Sequence, residues 1–395
     1  MPDLIHGNRE LIRAINRSSV LNTIRTLGPI SRKEITKHTS LSAATITGIT
    51  AELIDDDLVF EKETGDSSGG RRPILLALNK QSRYMIGVKL SVDHITAALT
   101  DLEATVLNKR TVQLPSHDLQ FTVEALGQVV ADLIADQAVS REKILGVGIG
   151  LAGIVDAENG VLRHSPIYGW RDVPLVSLLQ KRIDVPIFLD NDVNTFTLTE
   201  KWFGLGSGID NFLIVTVGRG VGMGMVMNGS LYQGSRGGAG ELGHTVIDPS
   251  GPVCVCGKQG CLEAYASDPA MLNMAAAAYQ RGELSRPVKT VEDLLHLAEQ
   301  GNPVVQKIFH TAGSVLGQGI ANLINIFNPE LIIFSGEGVR YGDHLFGPMR
   351  AALQQLAMPG LIDDTQIKID AWDDDAWARG AAGVVLEKLF QFPLR

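Results

Sequence analysis

Cysteine is scarce in this chain of 395 residues: only Cys254, Cys256 and Cys261 occur, all within the stretch CVCGKQGCLE. Three thiols cannot all pair, and a Cys254–Cys256 bridge would be strained, so a disulfide framework is disfavoured. A metal explains the crowding better. A structural zinc site takes four ligands, so a fourth must come from elsewhere in the chain. Long apolar runs are also missing. No stretch of about 18 apolar residues occurs, which argues against a membrane-spanning helix. The N-terminal MPDLIHGNRE is polar and has no signal-peptide core. With free thiols, these absences predict a cytoplasmic protein.

Positive charge is short in most of the chain, whose formal net charge is −9. Residues 1–80 hold 11 Lys/Arg against 10 Asp/Glu, a balance of +1, and the remainder holds 24 against 34, a balance of −10. An acidic body therefore follows a less acidic head, and only the head is a plausible contact for nucleic acid. An apolar fraction of 45% with 42 glycines fits a cored, turn-rich α/β protein. The length predicts two or three domains of roughly 100–200 residues each.

In the head, Leu11, Ile12, Ile15, Val20, Leu21, Ile24 and Leu27 recur at helical spacing before Gly28-Pro29. Ser31 and Glu34 then read as a capping box opening a helix through about Thr39. A turn at Ser40-Leu41 leads to a second helix over about 42–54, with Ile46, Ile49 and Leu53 as its buried stripe. Its other arc holds only small residues: Ala44, Thr47, Gly48 and Ala51. Such a face lets a helix enter a major groove closely, with the hydroxyls of Ser42, Thr45 and Thr47 near phosphates or bases. LVFEKE and PILLALN read as strands joined by TGDSSGGRR, whose Arg71 and Arg72 suit a wing against the DNA backbone. Helix-turn-helix spacing alone also fits a protein-interaction module. The order of two helices and a basic-tipped hairpin favours a winged helix-turn-helix DNA-binding domain over residues 1–80.

In the body, YMIGVKLSVDHITAALTDLEATVL reads as two or three strands, followed by strands at ILGVGIGL and VPIFLDNDVN. NFLIVTVGRGVGMGMVMNGSLYQG opens a second set of the same character, completed by a helix over about 303–327 and the strand LIIFSGEG. A hairpin followed by strand–helix alternation thus occurs twice. This predicts two α/β lobes, at about 81–190 and 191–395.

Three motifs, LDNDVNTFTLTEKWFGLG, GSLYQGSRGGAGELGHTVID and CVCGKQGCLEAYAS, resemble the ROK family of repressors, open reading frames and sugar kinases. The resemblance implies a duplicated actin-like ATPase (ribonuclease H-like) body behind the winged head. It supplies the missing metal ligand as His244, giving a zinc set of His244, Cys254, Cys256 and Cys261. It also implies sugar contacts from Asn191, Asp192, Glu241, His244 and Glu263. The chemistry agrees, because ionised carboxylates accept the hydrogen bonds that sugar hydroxyls donate. Glu241 lies one turn before His244 if that segment is helical, and Glu263 follows Cys261 by two. Closing a metal loop would draw the two acids together. Ile167, in HSPIYGW, stands where family kinases often carry a sugar-contacting Asn, which leaves the sugar's identity open.

In family kinases Asp192 would match the base that deprotonates the sugar. The phosphate apparatus does not follow the kinase pattern. In GVKLSVDHITAAL, Lys89, Ser91 and Asp93 replace an Asp-x-Gly-x-Thr phosphate loop, and in TVGRGVGMG Arg219 replaces a threonine. An aspartate 4 Å from a phosphate charge costs about 4 kcal/mol at an effective dielectric of about 20, roughly a thousandfold in affinity. Glu337 in FSGEG is a further acid on the nucleotide side. The expectation is a regulator, a repressor of carbohydrate genes that is not an enzyme. Its partners would be operator DNA, a sugar effector and a second copy of itself, since a two-fold pair reads a palindrome. Lys89 and Arg219 could hold a sugar phosphate, but Asp93 and Asp192 weigh against it, so the free sugar is favoured. Trp170 and Trp202 lie in sequence near the pocket motifs. Two other readings remain: an active ATP-dependent sugar kinase with an appended head, and a regulator whose body answers to a protein partner.

Overall fold

A computed structural model describes residues 9–62, 73–136, 139–370 and 374–390. Its head follows local sequence signals closely. Ser31 Oγ accepts from the Glu34 amide at 3.3 Å while Glu34 Oε2 accepts from the Ser31 amide at 3.0 Å, and helix Arg32–Thr39 begins there. Ser40 ends it in the left-handed region at φ 56°. Ser42 caps helix Ala43–Asp55 by accepting from the Thr45 amide at 3.1 Å. Ile46, Ile49 and Leu53 are buried with Thr50, whereas Ala44, Thr47, Gly48 and Ala51 face solvent. A Cβ placed on Gly48 would meet nothing within 4 Å. Helix Arg9–Leu27 backs this pair, burying Val20, Leu21 and Ile24. Strands Val59–Lys62 and Leu75–Leu78 pair antiparallel, and Ile30–Ser31 joins the far edge of the second. The hairpin's tip, including Arg71 and Arg72, lies outside the described residues.

The body contains two five-stranded sheets of matching order. In the first, Tyr84–Leu90, His94–Thr100 and Val106–Gln113 form an antiparallel meander. Ile144–Leu151 and then Ile187–Asn191 extend it beyond Tyr84–Leu90. In the second, Phe212–Val217, Val221–Met227 and Ser230–Leu231 form the meander, and Leu331–Ser335 and Gln366–Ile369 extend it in parallel. Parallel neighbours need long crossovers, and helices Pro303–Phe327 and Asp343–Leu356 supply them. The first begins at an Asn302 cap with proline in its first turn and ends at Asn328 in the left-handed region. All five residues of Leu331–Ser335 are buried, as expected of a strand covered on both faces. Phe309, Leu316, Ile320, Phe334 and Phe346 lie in the core of this half.

The chain divides into two compact units, residues 1–149, 176–188 and 381–395, and residues 150–175 and 189–380. The head thus clusters with the first body sheet. Asn79 N–H donates to Leu58 O at 2.9 Å, Asn79 Nδ2 to Asp57 at 2.9 Å, and Arg83 to Asp56 O at 3.2 Å. From the body side, Leu102 N–H donates to Lys80 O at 3.1 Å, and Lys80 pairs with Glu103. Among the described residues no helix is long and apolar enough to cross a membrane.

Candidate functional site

Four side chains from two short segments meet in the second unit. His244, Cys254, Cys256 and Cys261 each place one ligand atom within 4.8 Å of the others. Cys254 Sγ lies 3.6 Å from His244 Nδ1, and Cys256 Sγ lies 3.6 Å from Cys261 Sγ. Thiolates about 2.3 Å from a tetrahedral zinc lie roughly 3.8 Å apart. The group therefore has the spacing and donor chemistry to bind a metal ion.

A tight loop sets this spacing. Cys254 N–H donates to Lys258 O at 2.8 Å and Gly257 N–H to Cys254 O at 2.9 Å. Val246 and Val253 form isolated bridges to Cys261 and Gln259. At Gly260, φ is 71° and a Cβ would fall 1.5 Å from Asp248 O, so only glycine fits. Lys258 Nζ donates to His244 O at 2.7 Å and ties the two segments. Burial pushes the Cys254 and Cys261 thiols up, Cys261 to about 12 with help from its neighbouring thiols. Cys256 goes the other way: burial raises its thiol, but the hydrogen bond from the Lys258 amide and the neighbouring thiols outweigh this and lower it. A bound cation's field would favour all three as thiolates.

The imidazole of His244 turns Nδ1 to the cysteines and Nε2 to Glu241, whose Oε2 is 3.9 Å away. Glu241 precedes a 3-10 turn, Leu242–His244, rather than a full helical turn. The surrounding protein raises its carboxyl above the ordinary range. Desolvation leads, opposed by His244 and reinforced by the charges of Glu263 and Asp192. Its side chain nonetheless keeps 45% of its surface exposed. Three carboxylates, Glu241, Glu263 and Asp192, are thus close enough for the charges of the latter two to act on the first. Glu263 opens the short helix Glu263–Ala266 and accepts from the Val221 amide at 3.0 Å, which fixes one oxygen. Asn191 caps helix Asp192–Phe203: its Oδ1 accepts from the amides of Val193 at 2.8 Å and Asn194 at 3.3 Å. Its Nδ2 donates to Gly153 O at 3.0 Å. Asp192 therefore stands in a helix's first turn, where the macrodipole favours a carboxylate.

Tyr168 was passed over in the sequence. It is buried beside Trp170, with ring centroids 5.1 Å apart, and its phenol is raised by burial and then by the charge of Asp192. Its neighbour Ile167 is 48% exposed. The adjacency of an aromatic to Ile167 in HSPIYGW was the available signal. Trp202 lies in the last turn of the helix that Asp192 begins, ten residues on, so by helix rise it is about 15 Å from Asp192. Trp170, by contrast, packs against Tyr168, whose phenol feels the charge of Asp192.

The residues expected to replace a phosphate loop fall in both compact units. Lys89 lies within Tyr84–Leu90, opposite Thr96. Ser91 and Asp93 form the following turn, where Ser91 N–H donates to His94 O at 2.9 Å and Asp93 pairs with the His94 ring at 2.7 Å. Arg219 sits in the tight hairpin between Phe212–Val217 and Val221–Met227. Next to it, a Cβ on Gly218 would fall 2.4 Å from Glu337 Oε2, so that carboxylate already lies over the hairpin. In the head, Ser42 Oγ contacts Thr45 Oγ1 at 2.8 Å and Thr47 Oγ1 donates to Ala43 O at 2.8 Å.

Taken together, these features define a head of three helices and a small antiparallel sheet, followed by a duplicated α/β body that carries a His/Cys₃ loop beside a cluster of three carboxylates. A profile of the ROK family matches residues 85–388, and the chain belongs to that family. It is 32% identical to the xylose repressor of Caldicellulosiruptor bescii, covering 98% of this chain and 99% of the relative. It is also 32% identical to the N-acetylglucosamine repressor of Escherichia coli O6:H1, covering 84% and 82%. A solved ROK-family transcriptional regulator, a homologue of the Escherichia coli MLC protein, superposes with a TM-score of 0.85 at 30% identity, covering 96% of this chain and 99% of that one.

Proposed function

We propose that this protein is a cytoplasmic transcriptional repressor of carbohydrate genes that binds operator DNA through its head and a free sugar through its body. The observation that carries the reading is the presence, on one chain, of an exposed small-residue helix face at Ala43–Asp55 and a cluster of three carboxylates beside a His/Cys₃ loop. Asn191, Asp192, Glu241, His244 and Glu263 would accept and donate hydrogen bonds to sugar hydroxyls. Ser42, Thr45, Thr47, Arg71 and Arg72 would contact DNA, and a homodimer would present two heads to a palindrome.

Zinc is the metal that suits three cysteines and one histidine. When bound it supplies a fixed cationic centre that keeps the thiolates deprotonated and locks the loop. His244 would hold it through Nδ1, leaving the imidazole proton on Nε2, on the side of Glu241. Kinase activity is not expected: Glu337 over Gly218 and Asp93 at the first loop disfavour a nucleotide's phosphates, and Arg219 stands where the kinase pattern has a threonine. The retained Asp192 and loop glycines are what favour the kinase reading.

The relatives are named for two different sugars, so the test is a panel. Operator duplexes selected by the full-length protein are titrated by fluorescence anisotropy with xylose, N-acetylglucosamine, glucose and the matched 6-phosphates, with and without ATP–Mg²⁺. A free sugar that shifts operator affinity, independently of ATP, supports the proposal. Stoichiometric sugar phosphate production abolished by Asp192→Asn would replace it with the kinase reading.

A further inference from the structure

Two of the clustered acids come from segments far apart in sequence. Asp192 opens helix Asp192–Phe203, whereas Glu241 follows the strand Ser230–Leu231, yet the charge of Asp192 reaches Glu241. Like charges drive such groups apart, so their segments need a tie. Gln233 supplies one at each end of its own residue. Its Nε2 donates to Asp190 Oδ2 at 2.7 Å, two residues before Asp192. Its main-chain O accepts from the Ala239 amide at 3.2 Å, which closes the loop 233–239 two residues before Glu241. Asp190 is 3% exposed, and its Oδ1 accepts from the Asn191 amide at 2.8 Å and Asn194 Nδ2 at 2.9 Å. One buried carboxylate therefore grips the start of the Asp192 helix with one oxygen and the Glu241 loop with the other. An ionised carboxylate only accepts, so Gln233 must present its nitrogen, and the bond is charge-assisted. From the other side the loop presses on main chain. A Cβ on Gly237 would fall 1.6 Å from Val155 O and one on Gly240 2.2 Å from Met223 O, at φ 74° and 94°. The glycines set how closely the loop lies against the strands. The directional bond to Asp190 sets where along them it sits.

We propose that Gln233 is a positioning residue for the sugar. It holds Glu241 at a fixed separation from Asn191 and Asp192, so that groups from two segments meet the hydroxyls of one sugar ring. It touches no ligand itself and acts through Asp190 and Ala239. The proposal rests on the sugar-binding function given above and adds the residue that sets the site's width. Discrimination among sugars follows from it, because hydroxyls read from the two sides of this bond must match one spacing.

Calorimetric titration of the full-length protein with xylose, N-acetylglucosamine and glucose identifies the sugar that wild type binds tightest, and that sugar is carried through three variants. Gln233→Glu sets a second carboxylate against Asp190 and should lower affinity roughly tenfold or more, the usual cost of a lost charge-assisted hydrogen bond. Combining it with Asp190→Asn restores the bond with donor and acceptor exchanged, while the new amide's oxygen keeps the Asn191 and Asn194 donors. That double variant should return affinity to within about threefold of wild type, a coupling that only a direct pair produces. Gln233→Leu removes the donor without adding a charge and guards against a fold lost to repulsion. It should also weaken binding several-fold. Thermal unfolding of each variant runs alongside. A lowered Tm with unaltered affinity in Gln233→Glu or Gln233→Leu would make Gln233 a brace of the loop and overturn the proposal. So would a double variant that regains its Tm but not its affinity. A wild type that binds none of the three sugars at about 10 mM, a threshold near −3 kcal/mol, would instead remove the sugar function itself, and the proposal with it.

Discussion

Replacing Cys256 with alanine isolates the metal loop's role better than any other substitution in it. Cys256 is exposed, whereas Cys254 and Cys261 are 5% and 0% exposed. Truncating either buried thiol would add a packing defect to the loss of a ligand. At an exposed position the packing cost is within about 0.5 kcal/mol, so what remains is the effect of losing the metal. That effect should reach the carboxylates by two routes. Cys261 sits two residues before Glu263, and His244 presents Nε2 to Glu241 at 3.9 Å. If each acid then loses one charge-assisted hydrogen bond to a sugar hydroxyl, at about 1.5–3 kcal/mol each, the combined loss is roughly 3–6 kcal/mol. Sugar affinity should fall by about 10²–10⁴.

The assay pairs elemental analysis of chelator-free protein with calorimetric titration of the effector sugar. Wild type should hold about one zinc per chain and the variant markedly less. Cys256→His, which restores a ligand of a kind zinc accepts, should recover much of both. A metal-free variant that binds sugar within about threefold of wild type, below 1 kcal/mol, would refute the idea that the loop positions the acids.

Removal of the head should abolish operator binding, measured by anisotropy, while residues 81–395 retain the sugar. Within the head, Arg72→Ala should weaken all duplexes alike and reduce the salt slope by about one unit, whereas Thr47→Ala should alter the ranking among sequences. Asp192→Asn should impair sugar binding in calorimetry, and wild type should consume no ATP above background with any hexose. Asp156 supplies a pH test. Burial raises its carboxyl, but hydrogen bonds from Asn159 and Arg163 outweigh that and hold it below the ordinary value. A depressed carboxylate stabilises the fold above its unfolded pKa, and the benefit is lost as pH falls through the folded value. Asp156→Asn should therefore cost about 1–3 kcal/mol at neutral pH, and denaturant titrations of the two proteins should converge under strongly acidic conditions.

Much of the fold was legible because its signals are local. The Ser31–Glu34 box, the Asn302 cap with Pro303, and the apolar run at 331–335 each act within a few residues, and each marks the element found there. The His/Cys₃ group was half legible. Three thiols in eight residues suggest a cation, but the histidine that joins them is brought there by how the chain folds back, with Leu262 N–H donating to Thr245 O at 2.9 Å. No spacing rule encodes that return. Tyr168 and the joint between head and body were illegible for the same reason. Their chemistry depends on residues 24 and 23 positions away, Asp192 for Tyr168 and Glu103 for Lys80. Trp202 illustrates the converse, since adjacency in a motif became separation along a helix.

The side chain of Glu337 bears on the proposal that the body does not handle a nucleotide's phosphates. A glycine-rich hairpin cradles phosphate because bare backbone lets an anion approach its N–H groups. In this chain Gly218 and Gly220 still leave that space, but carboxylates from the protein lie in it. Glu337 reaches Gly218, and Glu263 reaches Gly220 while accepting from Val221 N–H. The hairpin's anion is thus internal. Glu263 also ties this hairpin to the helix that follows Cys261, so one carboxylate links the cysteine loop, the cluster of acids and the glycine-rich hairpin. A phosphate entering would have to displace a charge already held by a backbone amide, against repulsion of about 4 kcal/mol at 4 Å and effective dielectric of about 20. Gly220→Ala tests the consequence. Its Cβ would fall 2.8 Å from Glu263 Oε2, forcing the carboxylate off the amide. If Glu263 serves the sugar from that fixed position, affinity should fall by about tenfold or more with zinc content unchanged. Unaltered sugar affinity in this variant would show that Glu263 is a brace for the hairpin and makes no contact with the ligand.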